Sequence, residues 1–176
     1  MSVDIEVIPV KNKTFTWEAL KFELLALSLD QQVSLLLGRE PKLLKLSSRH
    51  EVEVGQVILP TNYYCFQLTR DNTLMLSCDK NAETYTDEQA YLDDFGRNLT
   101  PDIRAYISKC WAEVGYSYAV ESWGGRTEGE TVLLVAISKA IARLLDGFIV
   151  IKDDLFSLPV GVYSPSEFSS CKPMFR

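Results

Sequence analysis

The sequence has little of what metal, redox and hydrolytic sites usually require. Its 176 residues include one histidine, His50, and four cysteines that lie far apart with no Cys-x-x-Cys pair. These spacings exclude the common zinc and thiol-redox patterns, so we expect free, buried thiols and no metal or cofactor. Chemistry of the Ser-His-Asp or Cys-His type would depend on His50 alone. Because His50 alternates with Val52 and Val54, we expect it at the rim of the core.

The chain also lacks a long apolar run and an excess of positive charge. Its longest apolar run, at 132–137, has six residues, whereas a membrane-spanning helix needs about 20. The first thirteen residues carry four charges and no apolar core, which is unlike a secretory signal, so we expect a cytoplasmic protein that does not contact membranes. Eighteen Lys and Arg against 24 Asp and Glu give a net charge of −6, which disfavours nucleic acid as a partner.

The overall composition is typical of a folded domain. Hydrophobic residues make up 47% of the chain and charged residues 24%. A chain of this length buries enough surface to fold without a metal or disulfide. We therefore expect residues 1–176 to form a single domain, with one candidate internal boundary in the acidic segment 79–99 and a coil tail after 164.

Local patterns predict the elements of the first half. Residues 3–8 alternate between apolar and acidic side chains, which predicts a strand with Asp4 and Glu6 on a wet face. A broad apolar stripe predicts a helix that begins after a cap at Thr14 or Thr16 and ends near Asp30. Apolar runs or alternation also predict strands at 33–37 and at 50–54. Two further strands, at 62–69 and 73–78, should form a hairpin that turns at Asp71-Asn72.

Capping signals define the second half more sharply. Thr100-Pro101-Asp102 is typical of a helix start, and Gly115 should end that helix. A strand should follow from Tyr116. Thr127 and Glu130 form a capping box for a buried helix, which we expect to end at Asp146-Gly147 with glycine in the left-handed conformation. Further strands are predicted at 148–151, in the centre of the sheet, and at 155–157.

These elements indicate an α+β fold. The order of helices and strands does not alternate regularly, unlike that of a doubly wound fold. We therefore expect a mixed or mostly antiparallel sheet with about three helices packed mainly on one face.

One candidate binding region is the acidic segment 79–102. It contains seven acidic and two basic residues, a net charge of −5, which is most of the charge of the chain. Aromatic residues interleaved with the acids are typical of a surface that recognises a basic partner. The alternative is a solvated segment without a binding role. The candidate partner-binding residues are Asp87, Glu88, Tyr91, Asp93 and Asp94.

A second candidate is the glycine-containing turn that precedes the last long helix. Two glycines, an arginine and unpaired helix N–H groups together favour a small anion such as phosphate or carboxylate. The turn does not match either common nucleotide-binding pattern, and its glycines also suit a tight turn. The candidate anion-binding residues are Trp123, Gly124, Gly125, Arg126 and Thr127.

Our leading hypothesis is a non-enzymatic, cytoplasmic protein-interaction domain of the immunity or inhibitor type. Its acidic surface would bind a basic protein, and the uneven charge also allows association with a second copy. The alternative is a small-anion-binding protein or enzyme that uses the glycine turn. A third hypothesis gives both regions structural roles only.

Overall fold

The structure, a computed structural model, describes residues 3–27, 42–59, 62–67, 73–80, 88–122 and 128–171. Its helices are α1 (Trp17–Leu27), α2 (Glu88–Phe95), α3 (Pro101–Val114) and α4 (Glu128–Leu144), with a short 3₁₀ helix at Glu167–Ser170. Its strands are β1 (Val3–Ile8), β2 (Phe15–Thr16), β3 (Lys42–Lys45), β4 (Val57–Ile58), β5 (Tyr64–Gln67), β6 (Thr73–Lys80), β7 (Tyr116–Ser122), β8 (Phe148–Ile151) and β9 (Gly161–Tyr163).

Seven of these strands form one sheet in the order β3-β5-β6-β7-β1-β8-β9, and β2 pairs with β4 separately. Every pairing is antiparallel, which confirms the α+β class with an antiparallel sheet. β6 contains the first two residues of the acidic segment and β7 follows the segment, and the two strands pair from Leu74↔Ser122 to Lys80↔Tyr116. β8 is an inner strand one position from the edge rather than at the centre.

Helices cover both faces of this sheet. Ile5 and Val7 of β1 belong to the larger core, together with apolar residues of α1 and α4. Ile8 points to the other face, where a smaller core contains Leu92 of α2 and Trp111 of α3. We expected the helices mainly on one face of the sheet, but the structure has helices on each face. The sequence did not show this because the apolar residues of α2 are few.

Three helix ends, those of α3 and the C-terminal end of α4, were predicted from capping residues, and two of them are confirmed. Thr100 Oγ1 accepts from the Ile103 N–H at 3.4 Å and Gly115 is left-handed with φ 78°, so both predicted ends of α3 are confirmed. After α4, Asp146 takes the left-handed conformation (φ 52°), so the prediction for Gly147 was wrong. A Cβ on Gly147 would lie 2.6 Å from the Ile8 carbonyl oxygen, and glycine is required there for close approach to β1.

Three local predictions fail, two of them because a turn replaces a strand. The predicted strand at 50–54 forms only the bridge Leu44↔Glu51 because the chain turns at Val54 and Gly55, and His50 and Val54 are exposed. The strand predicted at 155–157 is replaced by β9, since the Asp153 carboxylate accepts the Leu155 N–H and holds a turn. The tail after 164, expected as coil, includes the 3₁₀ helix with Phe168 buried.

Other predictions are confirmed or fall outside the described residues. The strand at 3–8, the strand from Tyr116, the hairpin of β5 and β6, and a buried helix at 128–144 are all present. The end of the first helix near Asp30, the strand at 33–37 and the Asp71-Asn72 turn lie outside the described residues. None of the described helices combines the length and the hydrophobicity that a membrane span requires.

The side chain of Asn98 hydrogen-bonds to the backbone of β9, an edge strand of the sheet. Its amide donates to the Val162 carbonyl oxygen at 2.7 Å and its carbonyl oxygen accepts the Val162 N–H at 3.0 Å. Asn98→Ala should therefore cost about 1–3 kcal/mol of unfolding free energy. It should also speed hydrogen exchange at the Val162 amide. Asn62→Ala, which loses one contact of 3.4 Å to Tyr64, should cost less. Equal costs and unchanged exchange at Val162 would contradict this role.

Candidate functional site

The acidic segment contains a helix, α2, with one buried and one exposed side. Leu92 is fully buried against α3, whereas Asp93 and Asp94 are exposed. Asp93 Oδ1 accepts from Arg104 Nη1 of α3 at 2.8 Å. We name Asp93 and Asp94 the α2 acidic surface. Of the other predicted acids, Asp87 lies outside the described residues, and Glu88 begins α2 but its side chain is outside the description.

Tyr91 does not belong to this surface. Only 3% of the residue is exposed, and its ring meets the Trp111 ring edge-on with centroids 4.8 Å apart. The sequence placed Tyr91 among the partner-binding residues because aromatic residues alternate with acids there. The structure instead brings it against the sheet, where it cannot contact a partner while α2 stays in place.

The hydroxyl of Tyr91 reaches a buried carboxylate on β1. Glu6 is 6% exposed, and its two oxygens accept hydrogen bonds from the hydroxyls of Tyr91 and Ser117. Lys152 Nζ lies 2.8 Å from Glu6 Oε2 and 2.9 Å from Asp4 Oδ2. We name these five residues the Glu6 cluster. It joins β1, β7 and the end of β8 to α2, so it fixes the acidic helix on the sheet.

The charges within the Glu6 cluster favour the protonated form of Lys152. Burial by itself would lower the pKa of Lys152, but the carboxylates of Glu6 and Asp4 outweigh burial and raise that pKa above its ordinary value. The ammonium group therefore stays charged at neutral pH and bonds to two carboxylates. Because Glu6 also has two hydroxyl donors, the buried charges are paired and hydrogen-bonded, which is the condition for a stable buried ion pair. The cluster has a positioning role for α2 and offers no free nucleophile.

Sequence patterns missed the Glu6 cluster. Alternation on β1 placed Glu6 on a wet face, but α2 covers that face and buries the carboxylate. Its partners Tyr91, Ser117 and Lys152 lie 85, 111 and 146 positions away in sequence, so no local motif joins them. The one available signal was the position of Ile8, an apolar residue on the same face of β1 as Glu6.

The glycine turn of the alternative hypothesis, Trp123 to Thr127, lies outside the described residues. Its neighbours are described. Ser122 is buried at the end of β7, and its hydroxyl makes no hydrogen bond to the described part of the chain. Glu130, in the first turn of α4, is also buried. A buried carboxylate at a helix start competes with a bound anion for the positive end of the dipole. The anion site at the turn stays a prediction.

The remaining reactive side chains are dispersed. His50 was predicted at the rim of the core, but it is exposed on the loop after β3. The reason is that the strand expected there does not form. Cys110 and Cys171 are free and buried, as expected, and Cys65 is free and half-buried. Burial raises the pKa of the Cys171 thiol to about 11, which makes it a poor nucleophile at neutral pH. Among the described residues, no group of three His, Cys, Asp or Glu side chains is placed to hold a metal ion.

Comparisons of the chain with family models, with curated proteins and with solved structures found no match.

Proposed function

We propose that this chain is a non-enzymatic, cytoplasmic protein-binding domain of the immunity or inhibitor type, and that α2 docks a basic partner. The observation that carries the proposal is the two-sided character of α2. Tyr91 and Leu92 hold its inner side against the sheet and α3, while Asp93 and Asp94 stand on its outer side. A helix held in this way presents its acids in a fixed geometry, which reduces the entropy lost on binding.

The charge distribution of the sequence supports the same surface. The segment 79–102 carries a net charge of −5, whereas the whole chain carries −6. A concentration of one sign of charge in one segment attracts a partner of opposite charge and orients it before contact. We therefore expect the partner's docking surface to be rich in Lys and Arg, with association that weakens as salt increases.

The helix beside α2 supplies apolar contacts. Ile103 and Tyr106 of α3 lie about one turn apart and are 43% and 52% exposed. Exposed aromatic and aliphatic side chains near charges are typical of binding anchors, because the apolar contact supplies affinity that screened surface charges do not. Asp102, in the first turn of α3, adds a further exposed acid.

A matched pair of charge-reversal variants tests the proposal. The first variant converts Asp87, Glu88, Asp93 and Asp94 to lysine. The control makes the same charge change on exposed acids outside α2 and α3, namely Glu18, Glu51, Glu53 and Asp154. The immobilised proteins are incubated with lysate of the source organism and washed at low and at high salt.

We expect a basic protein to be retained at low salt by the wild type and the control variant, and to be lost from the α2 variant. Each variant loses one of the described ion pairs, Asp93–Arg104 in the α2 variant and Glu51–Lys42 in the control. Both should melt close to each other and to the wild type, because the described side chains that change are exposed and exposed ion pairs contribute about 0–1 kcal/mol. Retention of the same proteins by all three chains would contradict the proposal, as would the absence of any basic protein on the wild type.

A further inference from the structure

A pocket of about 370 Å³ lies where the start of α1 and β2 meets the end of α4. These helices belong to the larger core, on the face of the sheet that α2 does not cover. Four of its lining residues carry side-chain hydrogen-bond donors: Lys13, Thr14, Thr16 and Arg143. Lys13 Nζ is 3.7 Å from Asp146 Oδ2, and Arg143 Nε is 3.3 Å from Glu23 Oε2. Despite these ion pairs, the Lys13 and Arg143 side chains are 51% and 45% exposed, so a ligand in the pocket can reach both cations.

The rest of the pocket wall is largely apolar. Phe15 and Leu144 belong to or pack against the larger core, so this part of the wall is fixed by the fold. Val57 of β4 is partly exposed at the pocket, and Ala19 of α1 adds a small side chain. A concave apolar wall with a few convergent polar groups is the usual form of a small-molecule site, and the volume is within the usual range.

The surroundings of the pocket are more basic than the chain as a whole. Lys11 shares Asp146 with Lys13, at 3.6 Å. Lys139 lies one helical turn before Arg143, and burial together with the Arg143 charge lowers the pKa of Lys139. Asp146 and Glu23 only partly balance these four cations. An additional anion near Arg143 would relieve this repulsion between like charges.

We propose that this pocket binds a small amphipathic anion, which carries a carboxylate or phosphate on an apolar group. The fork of Arg143 and the ammonium of Lys13 bind the oxygens, since a guanidinium can hold two oxygens of one anion at once. Val57, Leu144 and Phe15 contact the apolar group. This site is independent of α2 and of the protein partner proposed for it.

Thermal denaturation with four probes tests the required chemistry. Benzoate and phenyl phosphate carry both an anion and an aromatic ring, inorganic phosphate carries only the anion, and benzyl alcohol carries only the ring. We expect one or both aromatic anions to raise the melting temperature in proportion to the logarithm of their concentration, and the other two probes to do so much less. A larger stabilisation by benzoate would indicate a carboxylate ligand, and a larger stabilisation by phenyl phosphate would indicate a phosphate ligand.

Substitutions then locate the site. Arg143→Gln and Lys13→Gln should each weaken calorimetric binding of the stronger probe about tenfold or more, the effect of losing about 1.4 kcal/mol. Lys11→Gln is the matched control, because it removes the same charge from the same ion pair with Asp146 but does not line the pocket. All three side chains are exposed, so the variants should fold. Equal binding by all variants, equal stabilisation by all four probes, or no stabilisation by either aromatic anion at millimolar concentration would overturn the proposal.

Discussion

Replacing Lys152 with methionine should lower the free energy of unfolding by about 3–5 kcal/mol, because it leaves the buried Glu6 carboxylate without its cation. Lys152 and Glu6 are 26% and 8% exposed at their side chains, and 2.8 Å separates their charged atoms. Methionine retains much of the length of lysine, so the loss reports the charge more than the packing. Urea or guanidinium denaturation of both chains measures the difference.

Lys42→Met provides the matched control. Lys42 Nζ lies 2.9 Å from Glu51 Oε2, nearly the same separation, but these side chains are 56% and 52% exposed. Exposed ion pairs typically contribute about 0–1 kcal/mol, so this variant should be close to wild type. If the two variants lose the same free energy of unfolding, burial does not strengthen the ion pair of the Glu6 cluster. The role of the cluster in holding α2 would then be wrong.

The contribution of Lys152 should also depend on pH in a definite direction. Its pKa in the folded protein is raised above the value near 10.4 that is typical of an unfolded chain. Above that pH the unfolded chain releases the Lys152 proton while the folded protein retains it, so the free energy of unfolding falls as pH rises. The stability difference between wild type and Lys152→Met should thus be constant at neutral pH and shrink above about pH 10. A difference that grows in alkali would contradict this.

Trp111→Ala should have an effect of similar size, about 3–5 kcal/mol, because it empties the centre of the smaller core. Trp111 projects from α3, is 1% exposed and packs edge-on against the Tyr91 ring of α2. Loss of the indole removes the apolar support of α2 but leaves the larger core of α1 and α4 intact. Hydrogen exchange should therefore quicken most at the α2 amides, more than at those of α4.

Tyr106→Ala is the comparison for Trp111→Ala, since it truncates an aromatic residue on the exposed side of the same helix. It should change stability by less than about 1 kcal/mol, and we expect it to weaken partner binding. Two results would contradict the role of the smaller core in holding α2. One is hydrogen exchange in Trp111→Ala that rises evenly along the chain, and the other is an equal loss of stability in Tyr106→Ala.

The parts of the fold that sequence predicted correctly are those governed by neighbouring residues. Thr100 and Gly115 mark the ends of α3 because a cap needs only the residues within one turn of it. The hairpin of β5 and β6 and the strand β1 follow from alternation over a few residues. Gly147 was misread because two reasons for glycine look alike in sequence. A left-handed turn and a close approach to another strand require the same residue.

The candidate site could be predicted only in part. The acidic character of 79–102 is visible in composition, and Asp93 and Asp94 are exposed as expected. The burial of Tyr91 and Glu6 was not visible, because it depends on α2 folding back onto a sheet whose strands come from distant parts of the chain. Alternation on β1 shows which residues share a face, but it does not show whether a helix covers that face.

The association rate constant is the most direct test of whether α2 presents its acids to a basic partner. The rate is measured with the partner captured by the wild-type chain, over a range of salt concentrations, for the wild type and for the Asp87, Glu88, Asp93 and Asp94 reversal. We predict slower association and a flatter salt dependence for the reversal, with a melting temperature close to that of the wild type. An association rate equal to that of the wild type at every salt concentration would contradict the claim.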